Sequence, residues 1–254
     1  MTFEAPRPAQ KDDPEPVPWK APPVVVELFS SEGCSSCPPA DRVLRKLFAE
    51  RTVEGAEIIA LEMHVDYWND LGWADPFSSE VYTSRQRMYT TILGDRSPYT
   101  PQMVVDGRTG FVGSDAAAAR RAIARAKLAR KANVAISPAK AESPDASVRA
   151  FRIVVSGVPE ATGPIEVLLA LTEDDLESRV TRGENAGEHL VHAPVTRSLA
   201  RAGAIAEGGR ERPFETVAKV KVPPAYKREK MRAIALVQAA DTMAIVGAAS
   251  SPFE

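Results

Sequence analysis

Apolar positions fall into two regimes along this chain. Up to about residue 131 they form unbroken runs and helical stripes, and beyond Asn133 they form short runs cut by Pro and Gly. Val24 to Phe29 is mostly apolar and β-branched early, which predicts a buried strand. Ser36 to about Glu50 predicts a helix: Pro38 and Pro39 fall in its first turn, where a missing N–H costs little, and Val43, Leu44, Leu47 and Phe48 make its stripe. Glu57 to Val65 predicts a second strand covered on both faces. Strand, helix and strand in that order form a βαβ unit with a right-handed crossover.

An aromatic, turn-rich insertion spans Tyr67 to Phe77. A helix is expected from about Ser79 to Ile92, with Val81, Met88 and Ile92 on one side and Arg85, Gln86 and Arg87 on its exposed side. Met103 to Val105, the strong turn Asp106-Gly107 and Gly110 to Gly113 predict a hairpin. Ser114 is expected to cap an Ala/Arg-rich helix reaching about Lys131, its arginines forming a solvated face. Further strands are expected at Val134 to Ala141, Ser147 to Val158, Ile165 to Leu171, Val191 to Ala200, Phe214 to Val222, Met231 to Val237 and Thr242 to Ala248. Pro/Gly turns separate most of them, which suggests a mostly antiparallel β-sandwich with its boundary near residues 131 to 135. The expected organisation is therefore a disordered or extended arm over 1–22, an α/β domain over 23–132 and a β-sandwich-like domain over 133–254.

The length of 254 residues allows one large domain or two small ones. A formal charge of -2 gives no electrostatic reason to expect a nucleic-acid partner or an anionic membrane. No apolar run approaches the roughly 18 residues of a membrane span. The first 23 residues, rich in Pro, Asp, Glu and Lys, do not read as a secretory leader. A cytoplasmic location is the expectation for the chain as it stands, and a periplasmic one if a leader has been removed.

The candidate chemistry lies in Cys34-Ser35-Ser36-Cys37, which holds both cysteines of the chain. Two thiols three positions apart at a helix start can close on each other or stay open, and the positive helix end stabilises the first thiolate. That pattern is read as a redox dithiol, with metal binding and an inert or regulatory pair as the alternatives. A structural staple is weak, because so short a loop constrains the unfolded chain little. Glu27 is a carboxylate in an otherwise apolar strand, so burial would raise its pKa. His64 and Asp66 read as a satisfied strand end, with thiolate tuning or metal binding as alternatives. Trp68, Trp73 and Phe77 either pack or line a groove over the dithiol. The polar loop Arg182 to His189 lacks the ending of a phosphate loop and reads as a turn, with contact to the dithiol face or metal ligation by Glu188, His189 and His192 as alternatives.

The CxxC after a strand, Glu27 upstream of it and Thr100-Pro101 before a strand together resemble the thioredoxin fold. The fold class so implied is an α/β thioredoxin-like domain followed by a mostly antiparallel β-sandwich domain. The resemblance implies a cis Pro101 facing the dithiol, with Thr100 presenting backbone groups to an extended peptide. It implies Cys34 as attacking thiolate and Cys37 as resolving thiol, with Glu27 taking and returning the proton of Cys37. Ser35 and Ser36 replace the Gly-Pro of thioredoxin and, with Trp68 and Trp73, join Thr100 as candidate substrate-binding residues. Over Glu27 to Asp41, His64 to Phe77, Tyr99 to Gly107 and Gly183 to His192, the chain more closely resembles a bacterial thioredoxin-like family, domain of unknown function 1223. The expected function is thiol–disulfide exchange with protein or peptide thiols and disulfides and an unidentified electron donor, without cofactor or metal. A redox-switched binding module and a metal carrier using the CxxC are the alternatives.

Overall fold

The computed structural model describes residues 21–143, 145–159, 163–206 and 209–254. The proposed arm over 1–22 lies almost wholly outside the described residues. Three α-helices are present among them: α1 (Pro38–Glu50), α2 (Glu80–Leu93) and α3 (Ala116–Ala126).

Strands β1 (Pro23–Ser30) and β3 (Ala56–His64) pair in parallel across α1, and the short β2 (Thr52–Val53) pairs with β3. Strand β4 (Gln102–Val105) runs antiparallel to β1 and forms a hairpin with β5 (Thr109–Val112). The hairpin turns through Asp106 at φ 50° and Gly107 at φ 65°. A Cβ at residue 107 would lie 2.0 Å from the Met243 carbonyl oxygen, so this turn requires glycine. Residue 115 rather than 114 caps α3: the Asp115 carboxylate accepts from the Ala118 N–H at 2.8 Å.

The second half supplies β6 (Asn133–Ala139), β7 (Val148–Ser156), β8 (Ile165–Glu173), β9 (Glu177–Arg179), β10 (His189–Val191), β11 (Val195–Ile205), β12 (Phe214–Lys221), β13 (Met231–Ala239) and β14 (Ile245–Pro252). These strands do not form a separate module. One nine-stranded mixed sheet runs β14-β13-β8-β11-β3-β1-β4-β5, with β2 beside β3. The seam between the halves is a single parallel register pair, Val195 opposite Glu62, closed by the Glu62 N–H donating to the Pro194 carbonyl at 2.9 Å. The expected thioredoxin-like domain followed by a sandwich is thereby corrected to one large central mixed sheet. Pairing β3 with β11 removes two edges that separate sheets would leave open.

The cores follow the same plan. Val24, Val26 and Leu28 pack under α1 and α3 with Leu44, Leu47 and Ile123. Phe29, Leu61 and Met63 pack on the other face with Tyr82 and Tyr89 of α2, and with Leu168, Ala170, Ile234 and Leu236 from beyond the seam. A small sheet of β12, β7 and β6 lays Phe151, Ile153 and Val155 against Leu169, Leu171 and Val237.

Helix α2 is turned opposite to expectation. Val81 and Met88 are about half exposed, at 51% and 52%, while Arg85 and Gln86 are buried. The cause is Glu27 in β1: its Oε1 accepts from Arg85 Nε at 2.6 Å and its Oε2 from the Tyr89 hydroxyl at 2.6 Å. Satisfying a buried carboxylate outweighs burying the apolar stripe of one helix.

Candidate functional site around the dithiol

Strand β1 ends at Ser30, and the chain then turns tightly: the Cys34 N–H donates to the Ser31 carbonyl and the Cys37 N–H to the Cys34 carbonyl, each at 3.1 Å. Cys37 is the N-cap of α1, with Pro38 and Pro39 following inside the first turn. Cys34 and Cys37 are joined as a disulfide, with their Cα atoms 5.5 Å apart. The Thr100–Pro101 peptide is cis. The Thr100 hydroxyl lies 3.3 Å from Cys34 Sγ and accepts from the Trp68 indole N–H at 2.9 Å. The Ser36 hydroxyl is also 3.3 Å from Cys34 Sγ. Thus Cys34, Ser36, Trp68 and Thr100 come together, next to Pro101 in the chain.

Both sulfurs are covered. Cys34 has 0% and Cys37 1% of its surface exposed, whereas Ser35 and Ser36 are open to solvent. The polar loop from the second half is fastened to this motif. Glu184 accepts from the Ser35 N–H at 3.1 Å and the Ser35 hydroxyl at 2.8 Å. Those two bonds lower the Glu184 pKa, the backbone one more strongly. Asn185 donates to the carbonyls of Glu32 at 2.8 Å and Cys34 at 3.0 Å. The loop packs against the aromatic insertion where two glycines meet. Gly72 has φ 109°, Gly183 has φ 78°, and a Cβ on Gly72 would lie 3.3 Å from Gly183 Cα.

Glu27 is not part of this constellation: both its oxygens are taken by Arg85 and Tyr89 on the α2 side. Asp66 accepts from Thr83, at 2.6 Å. Arg85 keeps its charge, since burial opposes protonation but Glu27 outweighs it.

On the α1 side of the sheet lies a second group of ionisable residues, mostly missed from sequence. His64 Nδ1 lies 2.7 Å from Asp75 and its Nε2 3.1 Å from Glu62. His192 Nδ1 lies 3.3 Å from Glu62 and its Nε2 3.1 Å from Glu32. Asp41 Oδ2 is 3.8 Å from the same His192 Nδ1, and Asp41 Oδ1 accepts from the Ser30 hydroxyl at 3.0 Å. The Trp73 indole N–H donates to Glu32 at 2.7 Å, and Phe77 stands edge-on to both imidazoles. Burial opposes charge on each imidazole, but the carboxylates outweigh it and raise His64 to about 10 and His192 to about 12. Burial would raise Glu62, yet the two histidines hold it below the usual carboxylate range. Asp41 is raised to about 6 by burial and then by the charge of Glu62. Glu62, His64 and His192 bring one ligand atom each within 4.8 Å of one another. His189 stays outside, in an exposed pair with Glu177. Glu62 carries the signal that singled out Glu27, a carboxylate inside an apolar strand, and could have been found by it; Asp75 carries none, whereas Asn185 lies in the polar loop for which contact with the dithiol face is one of the alternatives read from sequence.

A family model described as "Protein of unknown function (DUF1223)" matches residues 25–238. The chain belongs to that family. The crystal structure of protein AGR_C_4864 from Agrobacterium tumefaciens is similar at 28% identity and TM-score 0.66, covering 93% of this chain and 96% of that one. The DUF1223 architecture, both halves included, therefore recurs in an experimental structure. A domain of the outer membrane lipoprotein Omp28 from Porphyromonas gingivalis matches at 15% identity over 48% of this chain and 86% of that one, with a TM-score of 0.28 too low to carry an argument. No curated protein matches. No helix among the described residues is long and apolar enough to cross a membrane.

Proposed function

We propose that this DUF1223 protein carries out thiol–disulfide exchange with protein or peptide thiols through Cys34 and Cys37. The observation that carries the reading is the disulfide at the start of α1, with the Thr100 hydroxyl 3.3 Å from Cys34 Sγ. A substrate thiolate attacks Cys34 Sγ. A substrate–Cys34 bond forms, the Cys34–Cys37 bond breaks, and its electron pair leaves on Cys37, which takes up the proton the substrate thiol gave up. A second substrate thiolate then attacks the substrate sulfur of the mixed disulfide and expels Cys34 as thiolate. The substrate pair is oxidised to a disulfide and the protein is reduced to a dithiol; the reverse sequence reduces a substrate disulfide.

Thr100 would donate a hydrogen bond from its hydroxyl to the Cys34 thiolate, and the helix end would add its positive potential. Trp68 would hold Thr100 in place, and Ser35 and Ser36 would be the first groups a peptide meets. Trp73 would act one step back, through Glu32. No proton transfer is assigned to Glu27, whose oxygens are occupied. Access to Cys34 requires an opening of the cover around it, of which the loop bearing Glu184 and Asn185 is the attached part.

Two measurements test this. Alkylation of Cys34 in reduced protein should follow an apparent pKa below the free-thiol value of about 8.5; a value at or above it would count decisively against the reading. The Cys37→Ala variant should accumulate mixed disulfides with protein partners. A redox-switched module without turnover is favoured by one observation, the burial of both sulfurs. For that module, insulin disulfides would be reduced no faster than by buffer thiol, while partner capture would depend on the redox state.

A further inference from the structure

The dithiol reading leaves six buried ionisable side chains without a task. Glu32, Asp41, Glu62, His64, Asp75 and His192 are each at most 5% exposed. A purely structural network of this kind is expensive, because apolar residues of similar volume often stabilise a fold as well or better. The arrangement is also more specific than an ion-pair cluster needs. Glu62 Oε1 is the common point, 3.1 Å from His64 Nε2 and 3.3 Å from His192 Nδ1. Ligand atoms bound tetrahedrally at 2.0–2.1 Å stand about 3.3–3.4 Å apart.

The outward ring nitrogens are equally telling. His64 Nδ1 faces Asp75 at 2.7 Å, and His192 Nε2 faces Glu32 at 3.1 Å. Metal-bound histidines characteristically donate the other ring N–H to such a carboxylate, which fixes the tautomer and the ring plane. These outer groups are themselves held: Asp75 accepts from the Glu32 N–H at 2.8 Å, and Glu32 from Trp73 at 2.7 Å. The remaining oxygen of Glu62 accepts from the Ala193 N–H at 2.6 Å. Both inward nitrogens thus converge on Glu62 Oε1, and each outward nitrogen faces a carboxylate of its own.

The geometry points to a divalent-cation site of the zinc class formed by Glu62, His64 and His192, with Asp75 and Glu32 as the carboxylates behind the rings and Asp41 alongside, 3.8 Å from His192 Nδ1. Two imidazoles and a carboxylate suit zinc and its first-row neighbours better than calcium or magnesium, which take oxygen sets. The site bridges the seam of the sheet, since Glu62 and His64 belong to β3 and His192 lies in the turn between β10 and β11. An ion there would pin the two halves together where the backbone provides one register pair. It also adjoins the dithiol in the chain: Glu32 lies two residues before Cys34, and Asp41 one turn after Cys37. A cleft of about 690 Å³, lined among others by Arg42, Arg45, Thr172 and Arg232, reaches His192. The site stands independently of the exchange reaction, since no sulfur belongs to it.

The test uses full-length oxidised protein, whose disulfide leaves no thiolate to bind metal. After chelator treatment it is titrated with Zn²⁺ by calorimetry and with Co²⁺ by visible absorption. One equivalent per chain and a tetrahedral Co²⁺ spectrum are expected. Glu62→Gln and His192→Gln should abolish binding, and Asp75→Asn, which touches no ion, should weaken it by about 10–100-fold. A readout without substitution guards against misfolded variants: on Zn²⁺ addition the ¹⁵N resonances of His64 Nε2 and His192 Nδ1 should shift, while the outward nitrogens keep their protons. No Zn²⁺ binding, binding that survives both ligand substitutions, or imidazole resonances unmoved at saturating Zn²⁺ would each overturn the proposal.

Discussion

Two buried polar clusters occupy opposite faces of the same sheet, and they are built on different principles. On the α2 face, Glu27 meets Arg85, with Tyr89 and Gln238 completing the hydrogen bonds. One negative and one positive charge close on each other there. On the α1 face, four carboxylates, Glu32, Asp41, Glu62 and Asp75, surround two imidazoles. Acid groups outnumber bases, and the inward atoms share one point. The first cluster is complete in itself and fixes how a helix lies on the sheet. The second holds more ligand atoms than its own two cations need, at the seam and next to the redox motif in the chain. Burial alone therefore does not mark function; the balance of charges inside a buried cluster is the more discriminating sign.

The comparison breaks most sharply at Glu27. Glu27→Ala leaves the Arg85 guanidinium buried without its partner, and denaturant unfolding should show a loss of about 3–5 kcal/mol. Zn²⁺ stoichiometry should be unchanged in that variant. A loss within the noise would mean that the α2-face pair is not the closed unit described.

The α1-face cluster should respond to metal where the other does not. At Zn²⁺ a hundredfold above its dissociation constant, unfolding free energy should rise by about 2.7 kcal/mol relative to chelator-treated protein. The same increment is expected in the Glu27→Ala background, because the clusters share no side chain. Equal stability with and without Zn²⁺ would remove the distinction drawn between the two faces.

A smaller effect separates the dithiol's cover from both clusters. Asn185→Ala removes the donor to the Glu32 and Cys34 carbonyls, and reduction of the disulfide by dithiothreitol should accelerate about tenfold, equivalent to 1.4 kcal/mol. An unchanged rate would show that the loop does not limit access. The smallest change is Ser79→Ala. The Ser79 hydroxyl accepts from the Val81 N–H at the start of α2. Its loss should lower stability by about 1 kcal/mol while leaving Zn²⁺ binding and the reduction rate unaltered.

The local elements are legible along the chain, because their causes are local. The apolar run of β1, the prolines opening α1, the Asp106-Gly107 turn and the CxxC at a helix start are all set by residues within a few positions of one another. It also exposed Glu27 as anomalous, since a carboxylate in an apolar strand is visible without coordinates. What that anomaly meets, which face of α2 turns inward, and the joining of β3 and β11 in one sheet across Glu62 and Val195 depend on packing between distant segments. His192 lies 130 residues from Glu62, and Asn185 lies 151 from Cys34. Strand edges pair through backbone groups that every residue carries, and buried charges choose partners by proximity in space. Neither choice leaves a periodic trace along the chain, so the seam and the cluster beside it became visible only when the two halves were brought together.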